Sequence, residues 1–121
     1  MKLRIKGNSL RIRLTKTEVS TLADTGYLEE QTCFADSTFL YALEVEDITE
    51  LSASYVNNKM TILVPATFVK DWPGNEVVGL QSNMPLPGGD ALFLLLEKDF
   101  ICIDETTEDQ SDNYENPNKT C

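Results

Sequence analysis

The side chains with the clearest chemical potential in this 121-residue chain are cations crowded near its start. Six of the ten Lys and Arg residues fall within the first sixteen positions: Lys2, Arg4, Lys6, Arg11, Arg13 and Lys16. Five of them alternate with apolar residues. If Leu3, Ile5, Leu10, Ile12 and Leu14 point inward on two strands, then Lys2, Arg4, Lys6, Arg11 and Arg13 point outward together. Such a face can neutralise phosphates, so these five residues are the candidate anion or nucleic-acid patch. The net charge of −10 opposes a polyanion beyond the patch itself. A solvated face, partly neutralised by cross-strand acids such as Glu44 and Glu46, accounts for the cations better, so nucleic acid is not the expected partner.

The opposite charge gathers at the other end. From Glu97 onward there are eight acids against Lys98 and Lys119. Asp104, Glu105, Glu108, Asp109, Asp112 and Glu115 carry the hard oxygens that suit calcium or magnesium. Their spacing is not that of an EF-hand loop, because after Asp109, Ser111 and Asn113 no Gly follows and no Glu closes the loop. No metal site is assigned. The stretch reads as a solubilising tail, or as one that Tyr114 and Pro117 dock on the body.

Nucleophilic chemistry has little to work with. The chain has no His, which removes Cys–His dyads, Ser–His–Asp triads and histidine-ligated zinc. Cys33, Cys102 and Cys121 are odd in number and widely spaced, so they form no disulfide framework. Cys33 and Cys102 fall in predicted strands and are expected to pack as small hydrophobes. Carboxylate pairs such as Glu29/Glu30 or Glu97/Asp99 are the remaining acid–base option, and nothing marks them as buried. The Gly88-Gly89 loop lacks the lysine and following helix of a P-loop. The chain reads as non-enzymatic, with no cofactor implied.

The elements that must carry these residues repeat. Gly7-Asn8-Ser9-Leu10-Arg11-Ile12-Arg13-Leu14-Thr15 lies over Asn57-Asn58-Lys59-Met60-Thr61-Ile62-Leu63-Val64-Pro65 at a spacing of 50, continuing through Thr17/Thr67, Val19/Val69 and Leu22/Trp72. In each half a hairpin precedes a short helix and a second hairpin follows it. Thr15-Lys16-Thr17-Glu18 reads as a capping box and Gly26 as the residue that ends the first helix. Asn57-Asn58 is a strong type I′ turn signal, and Pro65 sits where the second helix begins. Leu92-Phe93-Leu94-Leu95-Leu96 is apolar on both faces, so that strand is covered twice or lies at an interface. The expected fold is mainly β: a small antiparallel eight-stranded barrel or strongly curved sheet with two short helices, built from two similar β-hairpin–helix–β-hairpin halves. One domain spans 1–103, with halves 1–47 and 50–103, and 104–121 is the acidic tail.

Lys6-Gly7-Asn8-Ser9-Leu10, followed by Arg13-Leu14-Thr15, resembles the opening of AbrB/MazE-type swapped-hairpin regulators over about the first 30 residues. Thr15 stands at that family's proline position. Its members build a barrel from two chains, so the resemblance implies a one-chain pseudo-dimer and a DNA-facing first hairpin. The second copy carries Ser54, Val56, Thr61 and Leu63 where the first has cations, which removes a two-fold DNA surface. Glu97-Lys98-Asp99-Phe100-Ile101-Cys102, then Glu108-Asp109-Gln110-Ser111-Asp112 and Asn116-Pro117, is similar to a small bacterial family of unknown function. That likeness spans most of the chain and implies no activity.

The function expected is non-catalytic binding, with a small apolar ligand held in the barrel by Phe39, Tyr41, Tyr55, Trp72 and Phe93. The alternatives are a DNA-binding or antitoxin-type regulator, and a protein-interaction module using Ala91–Leu96, which would support a homodimer rather than a monomer. No window approaches the roughly 18 apolar residues of a membrane span. No secretory leader is expected either, and the reduced-thiol composition points to the cytoplasm.

Overall fold

The structure, a computed structural model, describes residues 1–100 and 111–115. In chain order the first half contains β1 (Lys2–Ile5), β2 (Ser9–Leu14), α1 (Lys16–Thr25), β3 (Tyr27–Cys33) and β4 (Thr38–Glu46). The second contains β5 (Ser52–Val56), β6 (Lys59–Pro65), α2 (Ala66–Asp71), a 3₁₀ turn (Trp72–Gly74), β7 (Gly79–Pro85) and β8 (Ala91–Lys98). The extension of the last strand through Ile103, together with Cys102, Cys121, Pro117, Asp104, Glu105, Glu108 and Asp109, lies outside the described residues.

Local chemistry forms these elements as their residues dictate. The Thr15 hydroxyl accepts from the Glu18 N–H at 3.3 Å, while the Glu18 carboxylate accepts from the Thr15 N–H at 2.9 Å. Both halves of the capping box are therefore made. Gly26 ends α1 at φ 77°, donating its N–H to the Leu22 carbonyl. Pro65 is the residue before α2, at the position that Thr15 holds before α1. Asn57 and Asn58 both take positive φ, 52° and 64°, as a type I′ turn requires.

The expected antiparallel barrel is corrected by the pairing between halves. Among the described residues there are two four-stranded sheets, ordered β1-β2-β8-β7 and β3-β4-β6-β5. Each hairpin is antiparallel, but β2 pairs with β8 in parallel and β4 with β6 in parallel. The period-two alternation of a strand fixes which face is buried and leaves its non-local partner unspecified. Two hairpins from different halves, joined through their second strands, make each sheet mixed. The sheets meet without a continuous backbone ladder. At one seam Ser82 Oγ donates to the Leu51 carbonyl at 2.8 Å and the Ala53 N–H meets Met84 Sδ at 3.3 Å.

The core lies between the two inner faces. Leu10, Ile12, Leu14, Leu94 and Leu96 from one sheet pack with Leu43, Met60, Ile62 and Val64 from the other. Beyond Leu14 and Val64 the chain enters α1 and α2, and the helices close that end with Val19, Leu22, Val69 and Trp72, all at most 1% exposed. The other end carries the turns at 7–8 and 57–58 and is left open.

Candidate functional site

The open end holds an apolar pocket of about 450 Å³ between the sheets. Ile5, Leu10, Met84, Leu86 and Leu92 line it from the first sheet and the loop beside it. Phe39, Ala53, Ser54, Tyr55 and Met60 line it from the second, and no charged side chain takes part. Strand alternation explains the set. Leu92 and Met60 are inward residues one layer farther from the helices than Leu94 and Ile62, and Leu10, opposite Leu94, is one layer farther than Ile12. Tyr55 and Ile5, 62% and 58% exposed, stand at the rim.

Of the five aromatic residues expected to hold a ligand, Phe39 and Tyr55 line this pocket, with ring centroids 6.2 Å apart. Tyr41 stands behind Phe39, stacked at 5.8 Å and 24°. Its phenol is pushed above the ordinary tyrosine range by burial, with the charges of Glu30 and Glu18 adding to the effect. Trp72 and Phe93 lie elsewhere. Trp72 is fully buried among the helices, where Nε1 donates to the Val77 carbonyl at 2.7 Å and the Phe68 ring packs at 4.9 Å, tilted by 45°. Phe93 faces away from the pocket on the outer side of β8, because Leu92 and Leu94 take the inward positions. The aliphatic lining was visible in the sequence only as alternation, which gives a face and not a cavity.

The cationic patch does assemble. In the outer rows of the first sheet Lys2, Arg13 and Glu97 follow one another across β1, β2 and β8, and Arg4, Arg11 and Leu95 form the next row. Arg11 Nε and Arg13 Nε both reach Glu97 Oε1 at 2.8 Å, and Lys2 Nζ reaches Asp99 Oδ2 at 3.0 Å. Glu44 and Glu46, expected to neutralise these cations, belong to β4 in the other sheet, and Glu97 does so instead. A depression of about 310 Å³ lies among Arg4, Lys6, Ser9, Arg11, Phe93 and Leu95.

The remaining candidates separate. Glu29 and Glu30 point to opposite faces of β3. Glu29 meets Lys59 Nζ at 3.1 Å and accepts from the Tyr27 hydroxyl at 2.7 Å, which hold its carboxyl below the usual range. Glu30 meets the Met1 amino group at 3.0 Å. Cys33, expected to pack inside, is exposed at the end of β3, where both sides of the strand are open. Ala91–Leu96 is a central strand covered on one face by the core, with Phe93 and Leu95 half-buried on the other. Among the described residues no three His, Cys, Asp or Glu side chains gather as a metal site, and no helix is long and apolar enough to cross a membrane.

Residues 111–115 return to the body at the start of α1. Lys16 N–H donates to the Asp112 carbonyl at 2.9 Å, and Tyr114 N–H donates to the Asp99 carbonyl at 2.7 Å. Tyr114 docks beside Lys98, whose Nζ lies 4.8 Å from the ring centroid and donates to the Asn75 carbonyl at 2.7 Å.

Fold and pocket together define a small two-sheet β protein made of paired hairpin–helix–hairpin halves. The chain belongs to the family of unknown function DUF7009, which matches residues 1–118. No curated protein and no solved structure matches it.

Proposed function

We propose that this protein is a non-catalytic binder of one small, predominantly apolar molecule, held between the sheets at the end away from the helices. One observation carries the reading: a pocket of about 450 Å³ with no charged side chain in its lining, whose inward-facing residues are apolar apart from the rim hydroxyl of Tyr55. Ligand sites typically span about 300–1,000 Å³ and combine apolar walls with a few polar groups that orient the ligand. The pocket fits that description without any rearrangement. Its lack of charge favours a neutral ligand with at most one or two hydrogen-bonding groups.

The test is fluorescence titration with the neutral apolar probe N-phenyl-1-naphthylamine. The expected result is saturable binding at one site per chain. Ala53→Trp places an indole in the cavity and should abolish the signal, while its near-ultraviolet circular dichroism remains that of a folded protein. Saturable binding that survives Ala53→Trp unchanged, or no saturable binding by the wild type, overturns the reading.

A further inference from the structure

We infer that the outer face of the β1-β2-β8-β7 sheet is a nucleotide site, taking phosphate on Arg4, Lys6 and Arg11 and a base against Phe93. The inference is independent of the apolar pocket, which lies on the opposite face of β8.

On this face the cations Lys2, Arg4, Lys6, Arg11 and Arg13 outnumber the acids that meet them, Glu97 and Asp99, against the net charge of the chain. The chain carries twenty acids, yet Glu97 serves Arg11 and Arg13 at once. Arg4 and Lys6 are exposed and make no ion pair among the described residues. Arg4 also stands directly opposite Arg11 across the β1–β2 ladder, an arrangement that like charges disfavour. An anion between them converts that repulsion into attraction. The Arg side chains supply forked donors suited to phosphate oxygens.

The apolar side of the same depression is the observation that charge patterning alone does not give. Phe93 and Leu95, both half-buried, occupy the next strand in the same outer rows, beside Ser9 and Arg11 respectively. One strand further, Asn83 stands opposite Phe93 and Gln81 opposite Leu95, and both amides are exposed. Across the sheet the order is therefore cation, aromatic or aliphatic surface, amide. A phosphate, a stacked base and the polar edge of that base present the same order of chemistry.

The repeat supplies an internal control. At the matching positions of the other sheet, Arg4, Lys6 and Arg11 become Ser54, Val56 and Thr61, and Leu40 takes the register place of Phe93. That sheet forms without them, so the scaffold does not need the cations or the ring. The asymmetry counts against a two-fold duplex surface, but a single nucleotide or a short single strand needs only one face. Net charge −10 also limits the site to a short stretch of phosphates.

Free mononucleotide and single-stranded nucleic acid share this chemistry, and two measurements on the full chain separate them. One is fluorescence anisotropy with labelled oligothymidylate over a salt series; the other is calorimetric titration with adenosine monophosphate. Oligothymidylate binding should show a log–log salt slope of about −1.4, the value for two phosphates neutralised on a single strand. Binding of the mononucleotide alone supports the site with free nucleotide as its ligand. Arg4→Gln plus Lys6→Gln changes only exposed side chains and should cut the salt slope by at least half, leaving what Arg11 retains. Phe93→Ala should weaken binding about tenfold with the slope unchanged. Glu97→Gln releases Arg11 and Arg13 and should strengthen binding, a gain that misfolding cannot imitate. The inference is overturned by failure of both ligands to bind, by inorganic phosphate binding as tightly as the nucleotide, or by duplex binding more tightly than the single strand.

Discussion

The Asn8 carbonyl accepts a hydrogen bond from the Phe93 N–H at 2.9 Å, tying the first turn of one half to the last strand of the other. Its counterpart 50 residues on, the Asn58 carbonyl, accepts from the Leu40 N–H at 2.9 Å. The two bonds mark where the halves join through β2–β8 and β6–β4. Both turns sit beside the candidate sites: Leu10 and Met60, just after them, line the apolar pocket.

The turns differ in how they reach positive φ. The first uses Gly7 at 53°, while the second uses Asn57 and Asn58. Left-handed backbone costs about 1–2 kcal/mol for an ordinary residue and less for Asn. Asn58→Ala should therefore lower stability by about 1 kcal/mol, whereas Asn58→Gly should stay within about 0.5 kcal/mol of wild type. Urea denaturation monitored by circular dichroism measures both. Equal losses for the two variants would contradict the turn geometry.

Asp112 gives the returning segment a pH dependence. Its Oδ1 accepts from the Thr17 hydroxyl at 3.0 Å and the Thr17 N–H at 3.4 Å. The Thr15 hydroxyl is the largest influence on its carboxyl, and together with Thr17 and the charge of Lys16 it holds the group below the ordinary aspartate value of 3.8. A lowered folded-state value means that the docking contribution is complete above pH 3.8 and is lost as pH falls through the lowered value. The Thr17 amide resonance should titrate with a midpoint below pH 3.8. In Asp112→Asn that acid transition should vanish. A carboxyl titrating at or above 3.8 in the wild type would exclude this role.

Gly79 is required by close approach. A Cβ there would lie 2.2 Å from the Leu96 carbonyl oxygen and 2.9 Å from the Glu97 Cα, both backbone atoms. Gly79 faces Glu97 in the β7–β8 ladder, so Ala must push the strands apart. The expected cost of Gly79→Ala is about 1–3 kcal/mol, the usual penalty for overpacking. Gly74→Ala meets nothing within 4 Å and should change stability by about 0.5 kcal/mol or less. Thermal unfolding of the pair distinguishes crowding from a general intolerance of replacing glycine.

How much of this was written in the sequence depends on the range of each interaction. The capping box at Thr15, the stop at Gly26 and the Asn57-Asn58 turn depend on neighbours within four residues, and all were legible. The spacing of 50 placed Val19 with Val69 and Leu22 with Trp72, and these four side chains close the same end of the core. Parallel pairing of β2 with β8 was not legible, because it joins residues more than 80 positions apart that no local pattern links. Phe93 shows the same limit at one residue. In a strand apolar at every position from Leu92 to Leu96, alternation cannot say which side chains face out. Trp72 was expected at a ligand site on its size and aromaticity, and helix packing claimed it instead. Alternation places the cations in the outer rows of one sheet, but their acid partner, Glu97, lies on a strand from the other half.

Val19 and Val69 allow the repeat to be weighed energetically. They occupy equivalent places in α1 and α2, and both are buried, at 0% and 1% exposure. α1 runs for 10 residues with a complete capping box, whereas α2 runs for 6 and has no side-chain cap. If packing dominates, Val19→Ala and Val69→Ala should each cost about 1–3 kcal/mol, since each removes two buried methyl groups into a tightly packed end. If intrinsic helix stability dominated, α2 should gain more from the better helix former, and Val69→Ala would be the milder change by about 0.5 kcal/mol or more. Short helices draw most of their stability from the face they bury, so near-equal losses in urea denaturation are expected. A Val69→Ala variant as stable as wild type would show that α2 does not help to close the core.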